Sequence, residues 1–446
     1  MQKGEILTRT SNYVRYVVKT KKILTSMQSS RALMITCWLI YMIAYLTRNT
    51  YNASIVHLTG QGLLTTSMAG LVSTCYFVSY GCGHLINGIL ADRTRPVVML
   101  GSGIMGTALA NVLMPLVTPK LPLMLVVWTA NGFFESMLWA PIFVLLSSVL
   151  TEKLRFTALS TISYSRPTGQ ILAYLFTAGC TYFGIGFKAP FLVAAACAVL
   201  SCVLLIIVAV RAFSASDVRV VEVEQKKKEQ KDAPAKAEIS LGKLLLCSGA
   251  LIFTVPVVFH GMLKDGVNTW VPTILRDSFG VDETLSTVLA IVLPLIALLG
   301  FTLANFLLKR KSLHENHPAI GIILMGAAAV PTLVLLGARG MSFAAGLVCL
   351  CWISLLMESF NHIYSTMMPA KFAHYGKAAT VSGIMNSLIY IGSAISTYLF
   401  GLVAEWVGWN MTIFIWFCLA LAGAGILALA IKPWKRFIKQ MEETQA

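Results

Sequence analysis

The stretch Tyr41-Met-Ile-Ala-Tyr45-Leu-Thr-Arg48-Asn49-Thr-Tyr-Asn52 decides the fold. Tyr41, Tyr45, Arg48 and Asn52 recur at steps of four, three and four, which is one stripe of an α-helix. The surrounding chain from Ala32 to Ile55 is mostly apolar and long enough to cross a bilayer. An arginine in such a helix costs about 2.5–3.5 kcal/mol on insertion scales. A polar stripe beside it points to a water-filled cavity or an anionic ligand as the offset. The alternatives are an arginine snorkelling to the interface, or one paired with a buried acid for structure alone.

Outward from this helix the rest of the chain has the same character. Of 446 residues, 57% are apolar and 12% charged, with a mean hydropathy of +0.75. Soluble domains carry about 25% charged residues, so this is a polytopic membrane protein. The ten cysteines are scattered with no CxxC or His/Cys ligand spacing, so they read as small core residues and no metal or other cofactor is expected. No nucleophile–base pair or P-loop supports an enzyme.

Twelve long apolar segments are expected, an all-α membrane protein: 31–54, 66–90, 96–117, 122–149, 157–182, 188–211, 241–275, 283–308, 318–338, 341–369, 378–403 and 410–431. Residues 1–30 form a basic leader with no cleavable signal. Residues 213–240, with Glu222-Val-Glu-Gln-Lys-Lys-Lys228, form a charged linker between two six-helix bundles, 31–212 and 241–432, and 433–446 form a tail. With the N-terminus inside, 28 of the 35 Lys and Arg fall on inner segments and 4 on outer loops. The other three, Arg48, Arg166 and Lys264, lie within the membrane. That bias puts both termini in the cytoplasm and assigns the net charge of +16 to the lipid surface rather than to nucleic acid.

The two halves repeat one another. Leu46-Thr-Arg48 is matched by Met262-Leu-Lys264, and Phe134-Glu135-Ser136 by Met357-Glu358-Ser359. The stripe Ser163, Arg166, Gln170, Tyr174 is matched by Ser382, Asn386, Tyr390, Ser393. A parallel repeat of this kind predicts a substrate site at the midplane, between the halves.

The loop Gly88-Ile-Leu-Ala-Asp92-Arg93-Thr-Arg95 resembles the cytoplasmic loop motif of the major facilitator superfamily. Gly88 is expected to allow close helix packing, and Asp92 and Arg93 to serve gating. The equivalent loop of the second half, Gly300 to Asn305, Lys309 and Arg310, lacks the acid. Within the superfamily the chain is similar to the organophosphate:phosphate antiporters, the glycerol-3-phosphate and hexose-phosphate exchangers, over most of its length. The most specific points are Tyr45-Leu-Thr-Arg48-Asn49, Tyr80-Gly81, and Leu263-Lys264-Asp265-Gly266 followed by Trp270-Val-Pro272-Thr. The resemblance implies that Arg48 and Lys264 grip phosphate. The family's second arginine is here a lysine, a point charge rather than a two-donor fork. Its helix-five histidine aligns with Arg166, and its helix-two lysine with His84.

Arg166 lies about 15 Å into its segment at 1.5 Å per residue, before Pro167, as a binding residue or as the partner of Glu135 or Glu358. Lys264 lines the cavity with His260 and Asn268, or caps the outer interface if Leu244–Leu263 already spans. Glu135 and Glu358 serve proton coupling or act as counter-ions; Asp265 is expected to be a local partner of Lys264. His84, His260 and His362 stand isolated. Tyr41, Tyr45, Asn52, Gln170, Asn386 and Tyr390 complete the expected site. The expected function is a monomeric transporter of a small organic anion in the plasma membrane, an organophosphate exchanged for phosphate. A proton symporter of a carboxylate and a non-transporting sensor are the alternatives. Arg48→Ala is expected to abolish binding and leave expression nearly unchanged.

Overall fold

The computed structural model describes residues 18–24, 27–91, 94–148, 150–214, 218–224, 241–313, 315–337, 342–375 and 377–445. The first half consists of α1 (Met27–Gly60), α2 (Thr66–Ala91), α3 (Pro96–Val117), α4 (Leu121–Ser136), α5 (Trp139–Ser148), α6 (Glu152–Thr161), α7 (Ser165–Tyr182) and α8 (Lys188–Ser214). The second consists of α9 (Leu241–Cys247), α10 (Thr254–Phe279), α11 (Glu283–Leu289), α12 (Val292–Lys309), α13 (His317–Gly337), α14 (Phe343–His362), the single turn α15 (Met368–Ala370), α16 (Ala378–Val407) and α17 (Trp409–Gln445).

Among the described residues, ten helical stretches are long and apolar enough to cross a membrane. The expected segments outside that ten are α2 and the α6–α7 pair. Both carry the polar residues of the central cavity, so function dilutes the hydropathy by which a span is recognised. On α8, Leu200, Val203, Ile206, Ile207 and Val210 stand exposed, an apolar face suited to lipid tails.

Glycine sets the closest helix crossing of the second half. A Cβ on Gly261 of α10 would stand 2.2 Å from the Ile389 carbonyl of α16, and one on Gly392 of α16 would stand 2.1 Å from the Val258 carbonyl of α10. Only hydrogen fits in either place, so the two backbones touch. Above α10 the chain breaks at Gly249, whose φ of +73° suits glycine. The apolar run Leu244–Leu263 is therefore not one helix. Lys264 falls at the middle of Ala250–Phe279, a stretch long and apolar enough to cross a membrane.

The halves meet along α2 and α16, with further contact of α7 against α11. Away from the chain termini this seam is closed. The Ser67 amide donates to Glu405 at 2.8 Å, Thr74 donates to the Ala394 carbonyl at 2.6 Å, and Arg276 donates to the Val56 carbonyl. His57 Nδ1 stands 3.1 Å from Glu283 in the same seam. Towards the termini the halves part around a cavity of about 830 Å³, whose wall runs from Tyr45 and Tyr390 out to Leu85, Asn305 and Thr366.

At that end Val18–Leu24 of the leader and Val218–Glu224 of the linker, rich in β-branched residues, pair as two antiparallel strands with Val18 opposite Glu224. The tail is helical as far as it is described, α17 continuing through Pro433 to Gln445. Trp434 is buried, its ring 5.4 Å from that of Phe253, and its Nε1 donates to the Glu315 carbonyl at 2.7 Å. Beyond Arg310, Glu315 pairs with Lys371. Gly88 is exposed with nothing within 4 Å of a Cβ built on it, so it is no packing glycine in this arrangement. Asp92 and Arg93 lie outside the described residues.

Candidate functional site

Arg48 from α1, Arg166 from α7 and Lys264 from α10 line one pocket of about 130 Å³ between the halves. Tyr45, Asn52, Gln170, Asn268, Asn386, Tyr390 and Glu358 share its wall, so ten of the residues singled out in the sequence converge there. The pocket adjoins the larger cavity through Tyr45, Arg166, Asn386 and Tyr390, which line both. A 3₁₀ turn over Ile162–Tyr164 ends α6, and Pro167, with no N–H to donate, sits in the first turn of α7.

Each cation has a carboxylate. Arg48, 9% exposed, donates from Nε to Glu135 Oε2 at 2.9 Å. Its guanidinium lies 4.6 Å from the ring centre of Tyr45, 4.4 Å from Tyr80 and 5.1 Å from Tyr76, three contacts in which the ring faces favour the charge. Glu135 also accepts from Thr47 at 3.3 Å, from Asn131 at 3.5 Å and from the Tyr76 hydroxyl. Arg166 Nη2 donates to Glu358 Oε1 at 3.1 Å, a bridge from the first half to the second. Lys264 Nζ donates to Asp265 Oδ1 at 3.2 Å, and the Ser393 hydroxyl donates to Oδ2 of the same aspartate.

Some expected residues stand elsewhere. Tyr41 lines the larger cavity, its ring 5.1 Å from Trp139. His260 does not reach the pocket: it is fully buried against Phe360, ring centres 4.8 Å apart. Steps of four residues drift about 40° each around a helix of 3.6 residues per turn, so His260 has rotated off the face that holds Lys264 and Asn268. Glu135 sits behind Arg48 rather than in the pocket wall. His84 lies in the larger cavity edge-on to Tyr80, with 4.4 Å between ring centres.

Asn361 and Phe301, which carry little signal in sequence, line the pocket, as do Asn49 and Asp265, the latter paired with Lys264. Tyr76 and Tyr80 hold the Arg48–Glu135 pair. Their spacing of four with His84 on a helix-two face is the pattern that marks them.

The sequence profile of the Major Facilitator Superfamily matches residues 37–397. The chain is 23% identical over 414 residues to the membrane sensor protein UhpC of Salmonella typhimurium, covering 91% of each chain. It is 25% identical over 384 residues to the glycerol-3-phosphate transporter of Bacillus subtilis, covering 82% of this chain and 84% of that one. Among solved structures, a bacterial homologue of the human lysosomal transporter Spinster, inward-facing and unoccupied, superposes with a TM-score of 0.71 at 14% identity. That match covers 92% of this chain and 98% of the other.

Proposed function

The chain belongs to the Major Facilitator Superfamily, and from that premise we propose that it carries a small organic phosphate across the membrane by alternating access, in exchange for phosphate. The observation that carries this reading is the convergence of Arg48, Arg166 and Lys264 on one pocket at the seam of the halves. Charge-assisted hydrogen bonds from these cations hold the phosphoryl oxygens. Tyr45, Asn52, Gln170, Asn268, Asn386 and Tyr390 hold the organic part, with Glu135 as fixed counter-ion behind Arg48. Gly88, Asp92 and Arg93 belong to the inner gate. The protein works as a monomer in the plasma membrane. α2 and the α6–α7 pair complete twelve spans, both termini face the cytoplasm, and the cavity is the inward-open state. The basic asymmetry of the loops supports that orientation, and a cysteine placed in 214–240 should resist an impermeant thiol reagent added outside cells.

A proton-coupled net carrier is the second reading, favoured by the carboxylate beside each cation. An undischarged basic cluster would hold the empty carrier back and force exchange. Here the cluster is neutralised from within, so exchange rests on the family resemblance alone. The similarity to a membrane sensor favours a third reading, binding without transport. Uptake of radiolabelled glycerol 3-phosphate into proteoliposomes separates the three. Exchange gives uptake stimulated by internal phosphate. Uptake into phosphate-free vesicles driven by an imposed pH gradient selects the symporter, and saturable binding with no uptake selects the sensor. Arg48→Ala must abolish binding under all three; normal binding by that variant would overturn the anion site.

A further inference from the structure

Arg48, Arg166 and Lys264 are matched one for one by Glu135, Glu358 and Asp265, so the ionised site carries no net charge before a ligand arrives. A phosphate ester entering it has to share a cation already paired with a carboxylate, and that carboxylate's charge is then only partly compensated and faces the phosphate. The three carboxylates differ in what they would have left. Glu135 keeps Thr47, Tyr76 and Asn131, and Asp265 keeps the Ser393 hydroxyl. Glu358 accepts one hydrogen bond among the described residues, from Arg166, and it lines the pocket.

We propose that the substrate is zwitterionic, an organic phosphate or phosphonate that also bears an ammonium group, with Glu358 as the receptor for that ammonium. The proposal rests on the anion-site reading above and narrows its substrate class. A neutral hydroxyl would fill the hydrogen bond to Glu358 but leave its charge facing the phosphate, whereas an ammonium satisfies both. Asn386 is compatible with the same choice. Its amide NH2 donates to the Ser382 carbonyl at 2.9 Å and to the Ser382 hydroxyl at 3.4 Å, and its oxygen can accept from a ligand N–H or O–H. Arg166 and Glu358 also sit on opposite halves. A ligand holding both charges replaces their direct bridge with one running from Arg166 through phosphate and ammonium to Glu358, and so keeps the halves tied. A plain phosphate draws on the same guanidinium and brings no positive charge to Glu358.

The test compares matched pairs on the purified full chain by calorimetry: 2-aminoethyl phosphate against ethyl phosphate, and glucosamine 6-phosphate against glucose 6-phosphate. The amino member of at least one pair should bind ten-fold tighter or more, and Glu358→Gln should cut that preference below three-fold and tighten plain-ester binding, because Arg166 then has no carboxylate to share. Equal affinity within both pairs in the wild type would overturn the proposal and leave the anion site standing; the wild-type comparison needs no variant to fold. A preference undiminished in Glu358→Gln would move the receptor elsewhere and overturn this assignment. Failure of all four compounds to bind would overturn the anion site and this proposal together.

Discussion

Glu135 and Glu358 occupy matching places in the two halves, each followed by serine and each paired with an arginine of the first half. Their surroundings have diverged. Glu135 is 3% exposed, takes four donors and lies behind the pocket; Glu358 is 8% exposed, takes one donor and forms part of the pocket wall. Burial alone does not distinguish them. The number of bonds remaining after the arginine turns to a ligand does. One carboxylate fixes its arginine in place, and the other is available to exchange partners.

Three measurements break or sharpen that contrast. The largest effect belongs to Glu135→Ala, which strips a buried guanidinium of its partner and should lower stability by about 3–5 kcal/mol, read as the melting temperature in detergent. Arg48→Ala should fall similarly, which revises the expectation that its expression stays nearly unchanged. Adding Glu135→Gln to Arg48→Ala should restore expression and not binding. If Glu135→Ala melts with the wild type, the first pair is not the fixed one. Next comes Gly132→Ala on α4, whose new methyl would stand 2.4 Å from the Tyr76 carbonyl. Spreading this crossing should cost about 1–3 kcal/mol, against little for Gly88→Ala, which meets nothing. Equal melting of the two glycine variants would show that the α2–α4 contact does not hold Tyr76 against Glu135. The smallest stability effect is that of Glu358→Gln, about 1 kcal/mol or less for a bridge partly open to the cavity. A loss as large as that of Glu135→Ala would erase the distinction.

Much of this was legible in the chain. A cation in an apolar segment is so costly that Arg48, Arg166 and Lys264 announced a shared polar site before any helix was placed. Helix-stripe spacing brought Tyr45, Asn52, Gln170, Asn386 and Tyr390 with them. The same spacing failed at His260, since a four-residue step drifts round the helix and two steps carry it off the face. Which acid serves which arginine was not readable, because pairing across 87 positions for Arg48 and 192 for Arg166 depends on how the helices are set against one another. Trp434 was hidden for another reason. The basic residues Lys432, Lys435 and Arg436 around it read as a solvated tail, although one face of the helix they belong to is buried.

The one-to-one matching of cations and carboxylates has an electrical consequence. A membrane potential does work on a moving charge, about 2.3 kcal/mol per elementary charge for each 100 mV. If alternating access carries three positive and three negative side chains together, the site itself crosses the field without work, and voltage acts only on the cargo. One-for-one exchange with divalent phosphate would then move no net charge for a fully ionised phosphate ester, and one elementary charge for an ester that also bears an ammonium.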